Sequence, residues 1–183
     1  IKATGSLDNE GDRVRFLGRT LTRRGDSIIF EMDKDYFNSV FEYYNLTKCR
    51  EASTPGTSDL KRHENGDEPL DQGDHKMYRT VVGMLMWIAQ LRVDCIFAIK
   101  ELARSLHAPT MEDQAKLKHL LRYIKGTLHF KFALRVQYGG SLKTIEIDVY
   151  VDSDWAGCFK TRRSTSGFVI YLFGCATHFA SRT

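Results

Sequence analysis

The chain has 183 residues, a net charge of +4, and a composition of 42% hydrophobic and 27% charged residues. This composition excludes a largely disordered chain, and the apolar content suffices for one domain or two small ones. Four separated cysteines without a C-x-x-C pair argue against a zinc site or a disulfide scaffold, and the longest apolar run, Val81–Ala89, is too short to cross a membrane. We therefore expect an intracellular protein, cytoplasmic or nuclear, with no membrane partner.

The N-terminal part predicts a hairpin followed by a helix. Arg13–Thr22 and Ser27–Met32 have strand composition, and Arg24-Gly25-Asp26 between them suits a turn. Asp33 suits the N-cap of a helix over Lys34–Tyr44. Apolar residues of that helix fall at the i, i+3, i+4, i+7 spacing of one buried face. They are Phe37, Val40, Phe41 and Tyr44.

A long connection follows over Asn45–His75, where Gly, Pro, Asp and Ser are frequent and no apolar period is visible. Glu51–His75 contains seven acidic and two basic residues, whereas Lys76–Lys143 contains twelve basic and four acidic residues. The sequence therefore predicts an acidic loop followed by a basic module, which mildly favours an acidic partner.

Apolar residues recur at helical spacing in three later segments. Asp94 precedes the second segment and Thr110 the third, so both are expected N-caps. Asp113 stands at the capping-box position of Thr110, and Gly126 suits the end of the third helix. The predicted helices are Lys76–Leu91, Cys95–His107 and Met111–Lys125.

Beyond Gly126 the apolar period changes to two, which is typical of strands. The pattern predicts an antiparallel sheet there, with a turn at Tyr138-Gly139-Gly140. The fold class is therefore α+β: an N-terminal β-hairpin and helix, a three-helix module, and then antiparallel strands. The predicted strands of the last sheet are Phe130–Val136, Thr144–Val151, Thr165–Leu172 and Thr177–Ala180.

Two acids at the end of a predicted strand are the first candidate site. Asp152 follows Thr144–Val151 on the polar face, and Asp154 comes two residues later. Carboxylate oxygens in such a position can hold Mg²⁺. A solvated strand-end acid or an Asx turn explains the same pattern, and both interpretations are open.

Basic side chains form the second candidate site. Lys118, Arg122 and Lys125 fall at i, i+4, i+7 of the third helix, opposite its leucine stripe, and could contact successive phosphates. An ordinary solvated face is the alternative. Arg162 and Arg163 form a further basic pair after the two acids.

Together these segments resemble the Pol polyprotein of copia-type LTR retrotransposons over roughly residues 13–183. Five motifs match in the family's order. They are Phe16-Leu17-Gly18, Thr54-Pro55, Tyr78-Arg79-Thr80-Val81-Val82-Gly83-Met84-Leu85, Lys118-His119-Leu120-Leu121-Arg122-Tyr123-Ile124-Lys125-Gly126-Thr127, and Val151-Asp152-Ser153-Asp154-Trp155-Ala156-Gly157 with Arg163-Ser164-Thr165-Ser166-Gly167-Phe168.

The resemblance implies four regions. Residues 1–50 would end a reverse-transcriptase palm, 51–75 would be an acidic linker loop, 76–127 a thumb-like or connection-like helical module, and 128–183 a truncated N-terminal part of an RNase H-like domain. Such a domain would begin with the antiparallel strands of an RNase H-like sheet.

The same resemblance implies roles for particular residues. Asp152 would be the first RNase H carboxylate and a Mg²⁺ ligand, with Asp154 as a further candidate, and a complete site would use two Mg²⁺ ions to cut RNA in an RNA–DNA hybrid. The partners would be hybrid or duplex nucleic acid, bound weakly, and the rest of the Pol polyprotein. The expected nucleic-acid-binding residues are Lys118, Arg122, Lys125, Arg162 and Arg163.

Departures from the family pattern limit this expectation. The polymerase carboxylates would lie before Ile1, and the remaining RNase H carboxylates would lie beyond Thr183. Val93 stands where the family usually has Pro, and Cys158 where an acid is common. We therefore expect this chain alone to be inactive and to hold Mg²⁺ only weakly. The alternatives are a non-enzymatic nucleic-acid-binding module and a pseudogene product without function.

Overall fold

The computed structural model describes residues 5–56, 66–135, 145–158 and 161–183. These residues contain both helices and antiparallel strands, which confirms the α+β class. They form two compact units. The first is built from both ends of the chain, Ile1–Asp33 and Lys131–Thr183, and the second from Lys34–Phe130. The boundaries predicted near residues 50, 75 and 127 stay predictions.

The first unit contains a four-stranded antiparallel sheet whose strands lie side by side in chain order. Its first two strands occupy the segment predicted as one strand, Arg13–Thr22. That prediction was wrong because Leu17 and Gly18 have φ of 48° and 74° and form a tight turn between the strands. Leucine rarely adopts positive φ, so this turn has little signal in the sequence. The strands are β1 (Arg13–Phe16), β2 (Arg19–Arg24), β3 (Ser27–Met32) and β4 (Phe132–Arg135).

The partner of β4 also differs from the prediction. We expected this strand to join the C-terminal sheet, but it pairs with β3, and Phe30 lies opposite Phe132. Their ring centroids are 6.1 Å apart in an edge-to-face arrangement, which is a favourable aromatic pair. The strand therefore closes a sheet with residues about a hundred positions before it.

A second sheet has three strands that lie side by side in chain order, and they are antiparallel, as the alternation predicted. Phe173 and Gly174, with φ of 50° and 73°, form the turn between its last two strands. The predicted turn Tyr138-Gly139-Gly140 lies outside the described residues. The strands are β5 (Ile147–Ser153), β6 (Ser166–Leu172) and β7 (Cys175–Arg182).

The second unit is helical. A 3-10 turn over Lys34–Phe37 leads into α1 (Asn38–Tyr43), and a second 3-10 turn over Val93–Cys95 precedes α3 (Ile96–Ala103). The longest helices are α2 (Gln72–Ile88) and α4 (Met111–Gly126). None of the helices in the described residues combines the length and apolar character that crossing a membrane requires. The fully buried core side chains include Phe37, Tyr78, Val81, Val82, Leu85, Ile88, Leu117, Leu120, Leu121 and Ile124.

The ends of the helices agree with the sequence predictions in one case and differ from them in two. The capping box of α4 is confirmed, because Thr110 and Asp113 bond each other's backbone as expected. Helix α2 begins at Gln72, earlier than the predicted Lys76, because the Asp71 side chain accepts a hydrogen bond from the Asp74 amide at 2.8 Å. The predicted cap Asp33 precedes a 3-10 turn, and the α-helix itself begins at Asn38.

Candidate functional site

Strand β5 carries the first candidate, Asp152. In the part of the chain that the structure describes, this strand is an edge of its sheet, and all of its residues are exposed. Asp152 lies opposite Gly167 of β6, so its side chain has an open neighbourhood. The sequence predicted that the strand ends at Val151 and that Asp152 follows it, whereas Asp152 lies inside β5, one residue before its end. Its role as a metal ligand stays a prediction.

The loop after β5 contains the second acid and the basic pair. Asp154 Oδ1 accepts hydrogen bonds from the Thr165 amide at 2.6 Å and the Gly157 amide at 3.4 Å. This carboxylate therefore closes the loop, as in an Asx-type turn. Arg162 and Arg163 are exposed on the same loop. The two acids and the two arginines thus lie at one end of the β5-β6 pair.

These residues do not by themselves make the donor set of a two-metal site. Among the described residues, no group of three His, Cys, Asp or Glu side chains lies close enough to hold a metal ion. One oxygen of Asp154 is already used by two backbone amides. Trp155, which follows Asp154 directly, is 93% exposed and belongs to no core.

The basic face predicted on α4 contacts the chain itself. Lys125 Nζ donates to the carbonyls of Leu46 and Thr47 at 2.9 and 2.6 Å. Arg122 Nε donates to the Arg50 carbonyl at 2.6 Å. Lys118 Nζ lies 5.4 Å from the centre of the Tyr44 ring. All three cations are half-buried. Each therefore holds the segment from Tyr44 to Arg50 against α4 in addition to carrying charge.

A different helix surface is open. We define the outer face of α2 as Lys76, Arg79, Thr80, Gly83 and Met86, which recur at helical spacing and are all exposed. Met86 is 52% exposed. A Cβ atom built on Gly83 would meet no atom of the described chain within 4 Å. The sequence predictions do not include this face, although a glycine inside a long helical pattern is a visible signal of it.

Comparison with known proteins gives the family. No protein-family model and no solved structure matches the chain. It is 29% identical over 175 residues to an uncharacterised mitochondrial protein of Arabidopsis thaliana, covering 96% of the chain and 69% of that protein. It is 35% identical over 99 residues to the retrovirus-related Pol polyprotein from transposon RE1 of the same plant, and 30% over 128 residues to that from transposon RE2.

This chain belongs to the Pol polyproteins of copia-type retrotransposons. The alignments cover 54% and 70% of the chain but only 6% and 8% of the two transposon polyproteins. The chain therefore spans a small part of the Pol proteins that it matches. The family resemblance inferred from its motifs is confirmed.

Inside the helical unit of this Pol chain, a buried ion pair replaces the expected cap at Asp94. Arg92 is 5% exposed and donates to the Asp94 carboxylate from Nε at 3.0 Å and from Nη2 at 2.7 Å. The Tyr123 hydroxyl donates to the same carboxylate at 2.9 Å, and Arg92 Nη2 donates to Thr127 Oγ1 at 2.6 Å. The pair thus ties the turn before α3 to the end of α4.

Electrostatics follow from these contacts. Burial acts to raise the pKa of Asp94, but the hydrogen bonds and charge of Arg92, together with the Tyr123 hydroxyl, outweigh burial and hold that pKa below its ordinary value. Burial raises the pKa of the neighbouring Cys95 thiol to about 12. The cluster is therefore a charged structural hub with an unreactive thiol beside it.

Proposed function

We propose that this chain is a nucleic-acid-binding part of a copia-type Pol polyprotein, and that the parent performs RNA-directed DNA synthesis and RNase H cleavage of RNA–DNA hybrids. Membership of the Pol family supports the polyprotein context. The single observation that carries the binding role is the open glycine on the outer face of α2.

Gly83 stands inside a 17-residue helix, where glycine is less favourable than alanine by about 1 kcal/mol. Packing within the described chain does not require it, because a Cβ there would meet open space. A residue that costs helix stability on an exposed face is explained if another molecule approaches the backbone closely. The outer face therefore has a feature of a contact surface.

The charge of the outer face of α2 indicates the chemistry of the molecule that approaches it. Arg79 stands one turn before Gly83 and Lys76 two turns before it. Both are exposed and can reach phosphates of a strand that approaches the helix closely at Gly83. The three cations of the basic face predicted on α4, in contrast, already bond backbone carbonyls or lie against an aromatic ring. We accordingly place the primary nucleic-acid contact on α2 and give Lys118, Arg122 and Lys125 a supporting part.

For the C-terminal sheet we propose the start of an RNase H-like domain, with Asp152 as a carboxylate of its metal site. Three consecutive antiparallel strands and an exposed acid near the end of the first support this assignment. The described residues do not complete a metal donor set, so in this proposal the catalytic step belongs to the parent polyprotein.

The test compares two variants of α2 by fluorescence anisotropy with a labelled RNA–DNA hybrid over a series of salt concentrations. Arg79→Ala should lower the log–log salt slope by about 0.9, the value of one lost phosphate contact. Gly83→Ala should raise the free energy of unfolding by about 0.5–1 kcal/mol and yet weaken binding several-fold.

Lys116→Ala is the matched control, because Lys116 is an exposed cation of α4 that pairs with Glu112 and lies off the outer face of α2. It should leave the salt slope nearly unchanged. Unchanged affinity of the more stable Gly83→Ala chain would contradict the proposal, as would equal losses in Arg79→Ala and Lys116→Ala. If the unsubstituted chain shows no salt-dependent binding, the alternative of a pseudogene product without function would be favoured.

A further inference from the structure

A cavity of about 140 Å³ lies on one face of the sheet β1-β4, in the first unit. A single water needs only roughly 10–15 Å³ by the same kind of measure, so the space can hold a polyatomic group. The cross-strand register places Arg13, Thr22 and Ile29 next to one another on this face. The lining residues are Gly11, Arg13, Thr22, Arg24, Ile29, Glu31 and Lys131.

The walls of the cavity carry more positive than negative charge. Arg13 Nη2 lies 3.4 Å from Glu31 Oε2, and Lys131 pairs with the same carboxylate. Arg24 Nη1 lies 3.8 Å from Glu10 Oε1. Three cations thus face two acids, and the long arginine side chains, about two-thirds exposed, can turn towards a bound group.

Thr22 provides an independent sign of a ligand. Its side chain lines the cavity, the residue is 5% exposed, and its hydroxyl oxygen has no hydrogen-bond partner among the described residues. A buried hydroxyl without a partner is unfavourable, and native proteins rarely leave one. Valine has the same shape and suits a strand at least as well, so the hydroxyl itself needs an explanation.

We infer that this cavity binds a phosphate group, to which the Thr22 hydroxyl donates a hydrogen bond while Arg13, Arg24 and Lys131 supply the compensating charge. A tetrahedral oxyanion accepts several hydrogen bonds at once, and arginine matches its geometry with two parallel donors. Free phosphate and a phosphate of a nucleic-acid strand share this chemistry. The inference does not rest on the α2 interface, because it involves other residues of another unit.

The experiment is an NMR titration of the whole chain with sodium phosphate at constant ionic strength. We expect saturable shifts of the amides of Thr22 and Arg24, with a Kd of about 1 mM, as a few charge-assisted hydrogen bonds at a partly open site would give. Thr22→Val should raise the Kd by about tenfold, the effect of one lost hydrogen bond. Arg24→Ala should raise it similarly.

Arg15→Ala is the matched control. Arg15 lies on the same strand face two residues from Arg13, pairs with Asp33 at 3.5 Å, and does not line the cavity. It should bind phosphate like the parent chain. If Thr22→Val does not fold, Arg24→Ala and Lys131→Gln carry the test alone.

A second titration separates the sources of phosphate. A short oligonucleotide that binds more tightly than inorganic phosphate, and loses that advantage in Thr22→Val, would assign the site to a nucleic-acid strand. Equal binding of both would assign it to free phosphate. Linear, unsaturated shifts, or a Thr22→Val chain that binds phosphate as the parent does, would overturn the inference.

Discussion

Replacing Asp94 by Asn removes the charge that neutralises the buried Arg92 while keeping the shape of the side chain. Removing one partner of a fully buried ion pair costs about 3–5 kcal/mol, because the other charge stays buried without compensation. Arg92 meets that condition, but a third of the Asp94 side chain is exposed, and solvent screens part of the interaction. We therefore expect the free energy of unfolding of the helical unit to fall by roughly 2–3 kcal/mol.

The assay is urea denaturation at pH 7 followed by the fluorescence of Trp87. This residue belongs to α2 and packs on Tyr36, with ring centroids 5.2 Å apart, so its emission reports on the helical unit. Trp155 is replaced by Phe in every chain to remove its signal; it is almost fully exposed, so this change is mild. With a urea m-value of about 1–3 kcal/mol per molar, the midpoint should fall by about 1–2 M.

The pH dependence separates lost charge from lost packing. The pKa of Asp94 is lowered in the folded chain, so its stabilising effect is complete above the unfolded pKa near 4 and disappears as pH falls through the folded value. The difference between parent and Asp94→Asn should therefore be full at pH 7 and shrink progressively below about pH 4.

Asp67→Asn is the control, because Asp67 is an exposed acid of the same unit, and it should change stability by less than about 0.5 kcal/mol. If the Asp94→Asn chain is as stable as the Asp67→Asn chain at pH 7, the ion pair of Arg92 and Asp94 does not stabilise the helical unit. A deficit that stays constant between pH 7 and pH 3 would show that the contribution is packing rather than charge.

Two further predictions concern close contacts in the helical unit. Gly126→Ala should lower its stability by about 1 kcal/mol in the same assay, because the new Cβ would lie 2.8–3.0 Å from the Glu51 side chain; adding Glu51→Ala should restore part of the loss, because it removes the carboxylate but keeps the Cβ at 3.0 Å, and no recovery at all would contradict this cause. The Cys95 thiol, buried and with its pKa raised to about 12, should resist iodoacetamide at pH 8 while half-buried Cys49 reacts, as mass spectrometry of the folded chain would show.

Short-range patterns determined a large part of this protein. The i, i+3, i+4, i+7 spacing of Phe37, Val40, Phe41 and Tyr44 predicted side chains that are all buried. The capping box of Thr110 and Asp113 fixed the start of α4. Helix periods and caps depend on residues within a few positions of one another, and for that reason the sequence displays them directly. The family, too, was visible in ordered local motifs.

The tertiary structure alone decided which distant residues meet. Strand β4 pairs with β3, although its own alternation fits any sheet with an open edge. Asp94, a plausible cap by position, instead binds Arg92 and Tyr123. Lys118, Arg122 and Lys125 form one stripe of α4 in the sequence, yet Arg122 and Lys125 donate to carbonyls more than seventy residues earlier. The spacing along a helix fixes the face on which a charged side chain lies. Its partner depends on how the rest of the chain packs against that face.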